Sequence, residues 1–172
     1  MRRPARLAAW ALLVLWFAWI HALQERLSVS EAFALATPDL GMVLFVGMLG
    51  AVKRDDVFLL AILAAIGRKS FSIDPSLAIL CAFLGLAWLA SLLRRMIELS
   101  SPLWRAGLTI LGACGLALWL EVVRYARVGA ALPQLESLLP LAFTSGLAAL
   151  ALGGLATHLP GLSPLRVEEE EW

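Results

Sequence analysis

Two apolar runs, Ser76–Leu93 and Leu103–Val123, are joined by a short connection that reads Arg94-Arg95-Met96-Ile97-Glu98-Leu99-Ser100-Ser101-Pro102. As a helix, each run is long enough to cross roughly 30 Å of hydrocarbon. The connection is too short to hold a domain, so the two runs are expected to lie antiparallel as a membrane hairpin. Arg94 and Arg95 stand at the turn, and Arg105 follows one turn into the next helix. Three cations at one short turn mark it as a cytoplasmic loop.

The rest of the chain agrees with that start. Of its 172 residues, 61% are hydrophobic and 16% are charged, against about 45–50% and about 25% in a soluble domain. The apolar residues fall in blocks, the pattern of a polytopic all-α membrane protein. A net charge of +1 gives no reason to expect a nucleic-acid partner. Cys81 and Cys114 lie inside apolar spans with no Cys or His at ligand spacing, and read as small buried or lipid-facing residues.

Six spans are expected, at about 7–23, 38–52, 56–67, 76–93, 103–123 and 138–159, forming one transmembrane domain. Arg2, Arg3 and Arg6 precede the first, which resembles a signal peptide but lacks a convincing cleavage site and reads as an uncleaved helix. Gln24–Ala36 reads as a connector able to form a short interfacial helix, and Arg124–Ser137 as a polar loop. Thr37-Pro38-Asp39 predicts a helix start with Thr37 as cap and Pro38 at the first helical position. Asp74-Pro75 and Ser101-Pro102 repeat that chemistry. The third span, about eleven residues, would reach only some 16 Å and needs shelter from its neighbours. Glu168–Glu171 read as a solvated terminus.

With six spans both termini share a side. Arg2, Arg3, Arg6, Lys53, Arg54, Arg94, Arg95, Arg105 and Arg166 then fall inside, against Arg26, Arg68, Lys69, Arg124 and Arg127 outside. The asymmetry predicts cytoplasmic termini. In lipid, helices associate through small residues and occasional hydrogen bonds. The sixth span carries Ser145, Ala149, Gly153 and Thr157 at every fourth position, a packing stripe on one helical face.

No catalytic set, cofactor loop or metal-ligand cluster is visible. His21 and His158 sit near span ends and read as interfacial residues. Glu121 is three residues before Arg124, spacing for a local ion pair, and Arg105 can snorkel to headgroups. The polar groups are thus expected to place helices, with no enzyme activity and no cofactor.

Several short motifs occur in a set order. They are Pro38-Asp39-Leu40 before the second span, a short second-to-third hairpin, a Pro-led fourth span, Arg94-Arg95 with Ser101-Pro102, and Leu138-Leu139-Pro140 at the last span. In order and spacing they resemble the MreD family of rod shape-determining membrane proteins, over roughly Pro38 to Pro160. Where that family often has a Gly-x-x-x-Asp segment, this chain has Gly67-Arg68-Lys69.

The resemblance implies a non-enzymatic subunit of the bacterial inner-membrane machinery for cell-wall elongation. It implies an MreC-like bitopic scaffold as partner and, through it, the actin-like filament and the peptidoglycan synthases. It also implies a six-helix bundle similar to the substrate-binding subunits of energy-coupling-factor transporters. The alternative function is therefore a substrate-binding subunit of a vitamin-type transporter, which would carry an outward-facing cavity. A docking subunit is expected to lack a pocket lined by convergent polar groups. Pro38, Asp39, Arg94 and Arg95 are the candidate docking residues, with helix capping and orientation as the plainer role of each.

Overall fold

Long apolar blocks with no alternating pattern dictate helices, because a chain in an apolar medium must satisfy its backbone hydrogen bonds within each segment. The computed structural model describes residues 3–29, 37–94, 101–129 and 138–166. Six α-helices follow one another: α1 (Arg3–Ser28), α2 (Leu40–Leu49), α3 (Val57–Lys69), α4 (Ser76–Leu93), α5 (Pro102–Val128) and α6 (Leu138–Leu152). Among the described residues there is no β-strand. Three helices, α1, α4 and α5, are long and apolar enough to cross a membrane.

Helix α2 is the axis of the bundle. It is apolar on every side, and nine of its ten residues, Gly41–Leu49, are buried, as a helix without a polar face must be. It touches α1, α3, α5 and α6, and Phe45 meets Phe83 of α4 edge-to-face, ring centroids 5.2 Å apart. Gly47 makes one of these approaches possible. A Cβ there would stand 2.6 Å from Ala156 Cβ and 2.7 Å from the Gly153 carbonyl oxygen.

The hairpin expected from α4 and α5 is present in its packing. Trp119 Nε1, near the end of α5, donates to the Ala78 carbonyl at the start of α4 at 2.8 Å, so the two helices run antiparallel. Arg94 closes α4, its N–H bonded to the Ala90 carbonyl at 2.9 Å, and its guanidinium donates to the Val52 carbonyl at 3.2 Å. Arg95, most of the turn after it, and the acidic tail Glu168–Glu171 lie outside the described residues.

Several sequence expectations are corrected. Gln24–Ser28 does not form a separate interfacial helix but continues α1, and Arg124–Val128 continues α5 rather than opening a loop. A helix satisfies its own backbone, so it can run past the point where its side chains turn polar. Helix α5 stops instead at Gly129, which adopts φ 66° and returns its N–H to the Tyr125 carbonyl, the left-handed cap that glycine accepts without strain.

The sixth span is not one helix to residue 159. Helix α6 ends at Leu152, and Leu155–His158 forms a 3-10 turn. The Gly153-Gly154 pair ends it, since two glycines make continued helix entropically costly. Ser145, Ala149 and Gly153 are buried, but Thr157 leaves the four-residue stripe: it is half-buried and donates its hydroxyl to the Gly154 carbonyl at 2.9 Å. The Arg105 guanidinium lies against Gly154, 3.4 Å from where a Cβ would be.

Gly47 and Gly115 provide a paired test. Gly47→Ala is expected to cost about 1–3 kcal/mol by overpacking, whereas Gly115→Ala meets nothing within 4 Å and should raise stability by about 0.5–1 kcal/mol, since alanine suits a helix interior better than glycine. Thermal unfolding of the two variants in the same detergent checks this, and equal melting temperatures would contradict it.

Candidate functional site

The polar chemistry concentrates where α1, α3 and α5 finish and α2, α4 and α6 begin. Asp39 is its centre. The cap of α2 is Asp39 and not Thr37: Oδ1 accepts the Met42 N–H at 2.9 Å, the reach of a cap to the third helical position. Pro38 therefore precedes the cap instead of occupying the first helical position. Asp39 Oδ2 accepts from the Arg68 guanidinium at 2.6 Å, and the Asp39 N–H donates to Ser145 Oγ at 2.9 Å. A carboxylate only 3% exposed thus ties α2 to the end of α3 and to α6. Ser145, expected to pack as a small residue, also serves as an acceptor. Ala149 lies with Val43 and Ala106 in a small apolar cluster between α6, α2 and α5.

A second pair repeats the arrangement. Asp74 does not cap α4, whose cap is Pro75. Its carboxylate accepts from Arg124 Nε at 2.9 Å, from an Arg124 terminal nitrogen at 3.2 Å, and from the Ser72 hydroxyl at 2.8 Å. Arg124 also pairs with Glu121 at 2.6 Å, the local pair that the sequence spacing predicts. Burial acts to raise the Asp74 carboxyl, but the hydrogen bonds from Arg124 and Ser72 and the charge of Arg124 outweigh it. The group is held below the usual carboxylate range.

Between these pairs lies a cavity of about 300 Å³, lined by residues that include His21, Gln24, Glu25, Arg68, Asp74 and Arg124. His21 is enclosed by the bundle and not exposed at its surface. It is 4% exposed, its ring stands where a side chain on Gly41 would have to go, and it faces Phe71 at 6.4 Å between ring centroids. His158, by contrast, is exposed.

Sequence reading missed this convergence because its members come from four helices and two connections. One signal was available. The expected topology already put Arg68 and Arg124 on the same side as Asp39 and Asp74, so their pairing could have been anticipated.

The opposite end of the bundle is built differently. Arg6 pairs with Asp56 of the Arg54–Asp56 turn, and Arg94 reaches the Val52 carbonyl. Of the four candidate docking residues, Pro38 and Asp39 thus lie at one end of the bundle and Arg94 at the other.

Comparison with family models, with curated proteins and with solved structures finds no match to this chain. Cys81 is exposed and Cys114 half-buried. Among the described residues no three His, Cys, Asp or Glu side chains gather as a metal site would require.

The Asp74 geometry fixes a pH dependence. A carboxyl depressed in the folded state contributes stability that is present above its unfolded value, near pH 4, and lost as pH falls through its lower folded value. Melting temperature should therefore fall on acidification below about pH 4, and Asp74→Asn should lower it at neutral pH while flattening that acid slope. An unchanged acid slope in the variant would show that Asp74 is not responsible.

Proposed function

We propose that this chain is a non-enzymatic subunit of the bacterial cytoplasmic membrane, acting in cell-wall elongation by docking an MreC-like bitopic scaffold protein. Through that scaffold it connects to the actin-like filament and the peptidoglycan synthases. Both termini are cytoplasmic, and the Asp39 end faces the periplasm. The MreD-like order of Pro38-Asp39-Leu40, Arg94-Arg95, Ser101-Pro102 and Leu138-Leu139-Pro140 is the sequence basis of this reading.

The structural observation that supports it best is an apolar groove of about 190 Å³ between α4 and α5, with Met42 at its floor. Gly85 and Gly115 are exposed along it, with nothing within 4 Å of where their side chains would be. Bare backbone on membrane-crossing helices is where another helix can approach closely, and close packing is the main attraction available in lipid. A single-span scaffold helix is the occupant this reading requires.

The polar cavity favours the alternative, a substrate-binding subunit of a vitamin-type transporter, since it opens at the end that this orientation places outside. Against that, Arg68 and Arg124 already spend their charge on Asp39 and Asp74, which suits a bundle clasp more than a strongly charged ligand. A vitamin-like molecule retained through purification would decide for transport.

Two experiments test the docking reading. Filling the groove with Gly85→Leu and Gly115→Leu should abolish co-purification of a single-span coiled-coil partner from mild detergent, with normal accumulation of the chain. Retention of the partner would overturn the groove as its seat. Separately, reversing Arg94 and Arg95 to Glu should disturb orientation and reduce accumulation severalfold, because these cations set topology. A well-inserted protein that had merely lost its partner would instead assign them to docking.

A further inference from the structure

The cavity at the Asp39 end contains a concentration of unmet hydrogen-bonding capacity. His21 Nε2, Gln24 Oε1 and Arg68 Nε are buried without a partner, and all three residues line it. A buried polar atom left unpaired is destabilising unless something else satisfies it. His21 is the strongest case, since it is 4% exposed and its Nε2 has no hydrogen-bond partner.

The character of these atoms restricts what can fill the space. Arg68 Nε–H can only donate, so it calls for an acceptor. His21 and Gln24 can present either a donor or an acceptor, by tautomer or by amide orientation. Charge restricts it further. Arg68 and Arg124 are balanced on the wall by Asp74 and Glu25, and Asp39 stands behind Arg68. A simple anion would meet two carboxylates, and a simple cation would leave Arg68 Nε unsatisfied. Glu25 is exposed, and its carboxylate forms no ion pair with the described residues.

We infer that this cavity binds a small zwitterion, an oxyanion held at Arg68 Nε and His21 with a neighbouring ammonium at Glu25 and Gln24. At about 300 Å³ it has roughly twice the volume of a cavity that accommodates benzene, about 150 Å³, enough for a group of amino-acid or phosphoethanolamine size. Its position beyond the buried run of α2 puts it at headgroup depth, and the exposed apolar Phe71 and Ile73 on its wall offer a seat for an attached hydrocarbon. The same chemistry can come from a lipid headgroup or from a free solute. The inference rests on neither the docking nor the transport reading.

The test is the melting temperature of the full chain in detergent with three probes: short-chain phosphatidylethanolamine, phosphatidylglycerol with the same chains, and water-soluble phosphoethanolamine. Phosphatidylethanolamine should raise it saturably and phosphatidylglycerol should not. A parallel rise with phosphoethanolamine identifies a site for free zwitterions, and no rise with it identifies a lipid headgroup site. Glu25→Gln, at an exposed position, should leave the unliganded melting temperature unchanged. It should weaken the effect about tenfold, the loss of one charge-assisted hydrogen bond. Equal stabilisation by phosphatidylglycerol, no stabilisation by any probe, or an undiminished response in Glu25→Gln would overturn the inference. Because co-purification is not the readout, its failure leaves scaffold docking standing, and the reverse also holds.

Discussion

Asp39 makes three kinds of bond from one buried position: a cap to its own helix, an ion pair to Arg68, and a backbone donation to Ser145. In an apolar bundle such a group is either satisfied or ruinous, because the buried Asp39 carboxylate cannot retreat to water. Removing one member of a buried pair typically costs about 3–5 kcal/mol, since the other is left charged and desolvated. The benefit lies in specificity more than in strength. Greasy helices in lipid slide and rotate against one another at little cost, whereas a fork between fixed atoms admits one register. For helix α2, apolar on every side, the fork adds a directional constraint to the close approaches at Gly41 and Gly47.

The two ends of the bundle solve the same problem with different material. At one end, acids that precede helices meet arginines that finish them, in Asp39–Arg68 and Asp74–Arg124. Acids at helix starts and cations at helix ends are each favoured by the macrodipole, so every such pair also suits the two helices it joins. At the other end, Arg94 is spent on a free carbonyl at the close of α2, and the Arg6–Asp56 pair fastens α1 to the turn before α3. Between the ends, Phe17, Phe45 and Phe83 are fully enclosed, and contacts among large side chains and glycines take over from charge.

Much of this was legible in the residues themselves. The α4–α5 hairpin follows from apolar run length and a short basic turn, and the all-helical class follows from blocks of hydrophobicity. What escaped had physical causes. Thr37-Pro38-Asp39 offers two competing caps, and only tertiary contact with Arg68 and Ser145 selects the acid. The end of α6 was hidden because Gly153 and Thr157 fit a four-residue stripe by spacing, while the backbone freedom of Gly153-Gly154 breaks the helix that the stripe assumed. His21 looked peripheral because a one-dimensional reading places it near the end of an apolar run. In three dimensions α1 continues for seven more residues, to Ser28, which carries His21 inward against Gly41.

Unequal helix length explains why a cavity exists at all. Helices α1 and α5 have 26 and 27 residues, and α2 and α3 have 10 and 13. At 1.5 Å per residue these are about 40 Å against about 15–20 Å. The long helices must overshoot the short ones, and their overhanging turns supply Gln24, Glu25 and Arg124 above a floor set by Arg68. A bundle of equal helices would close that space with side chains of similar depth. Here the short helices are held by charge at the level of Asp39, so the overhang stands open and its inward polar atoms face one another across a gap. The clasp that fixes the register of α2 is therefore also what makes room for a ligand.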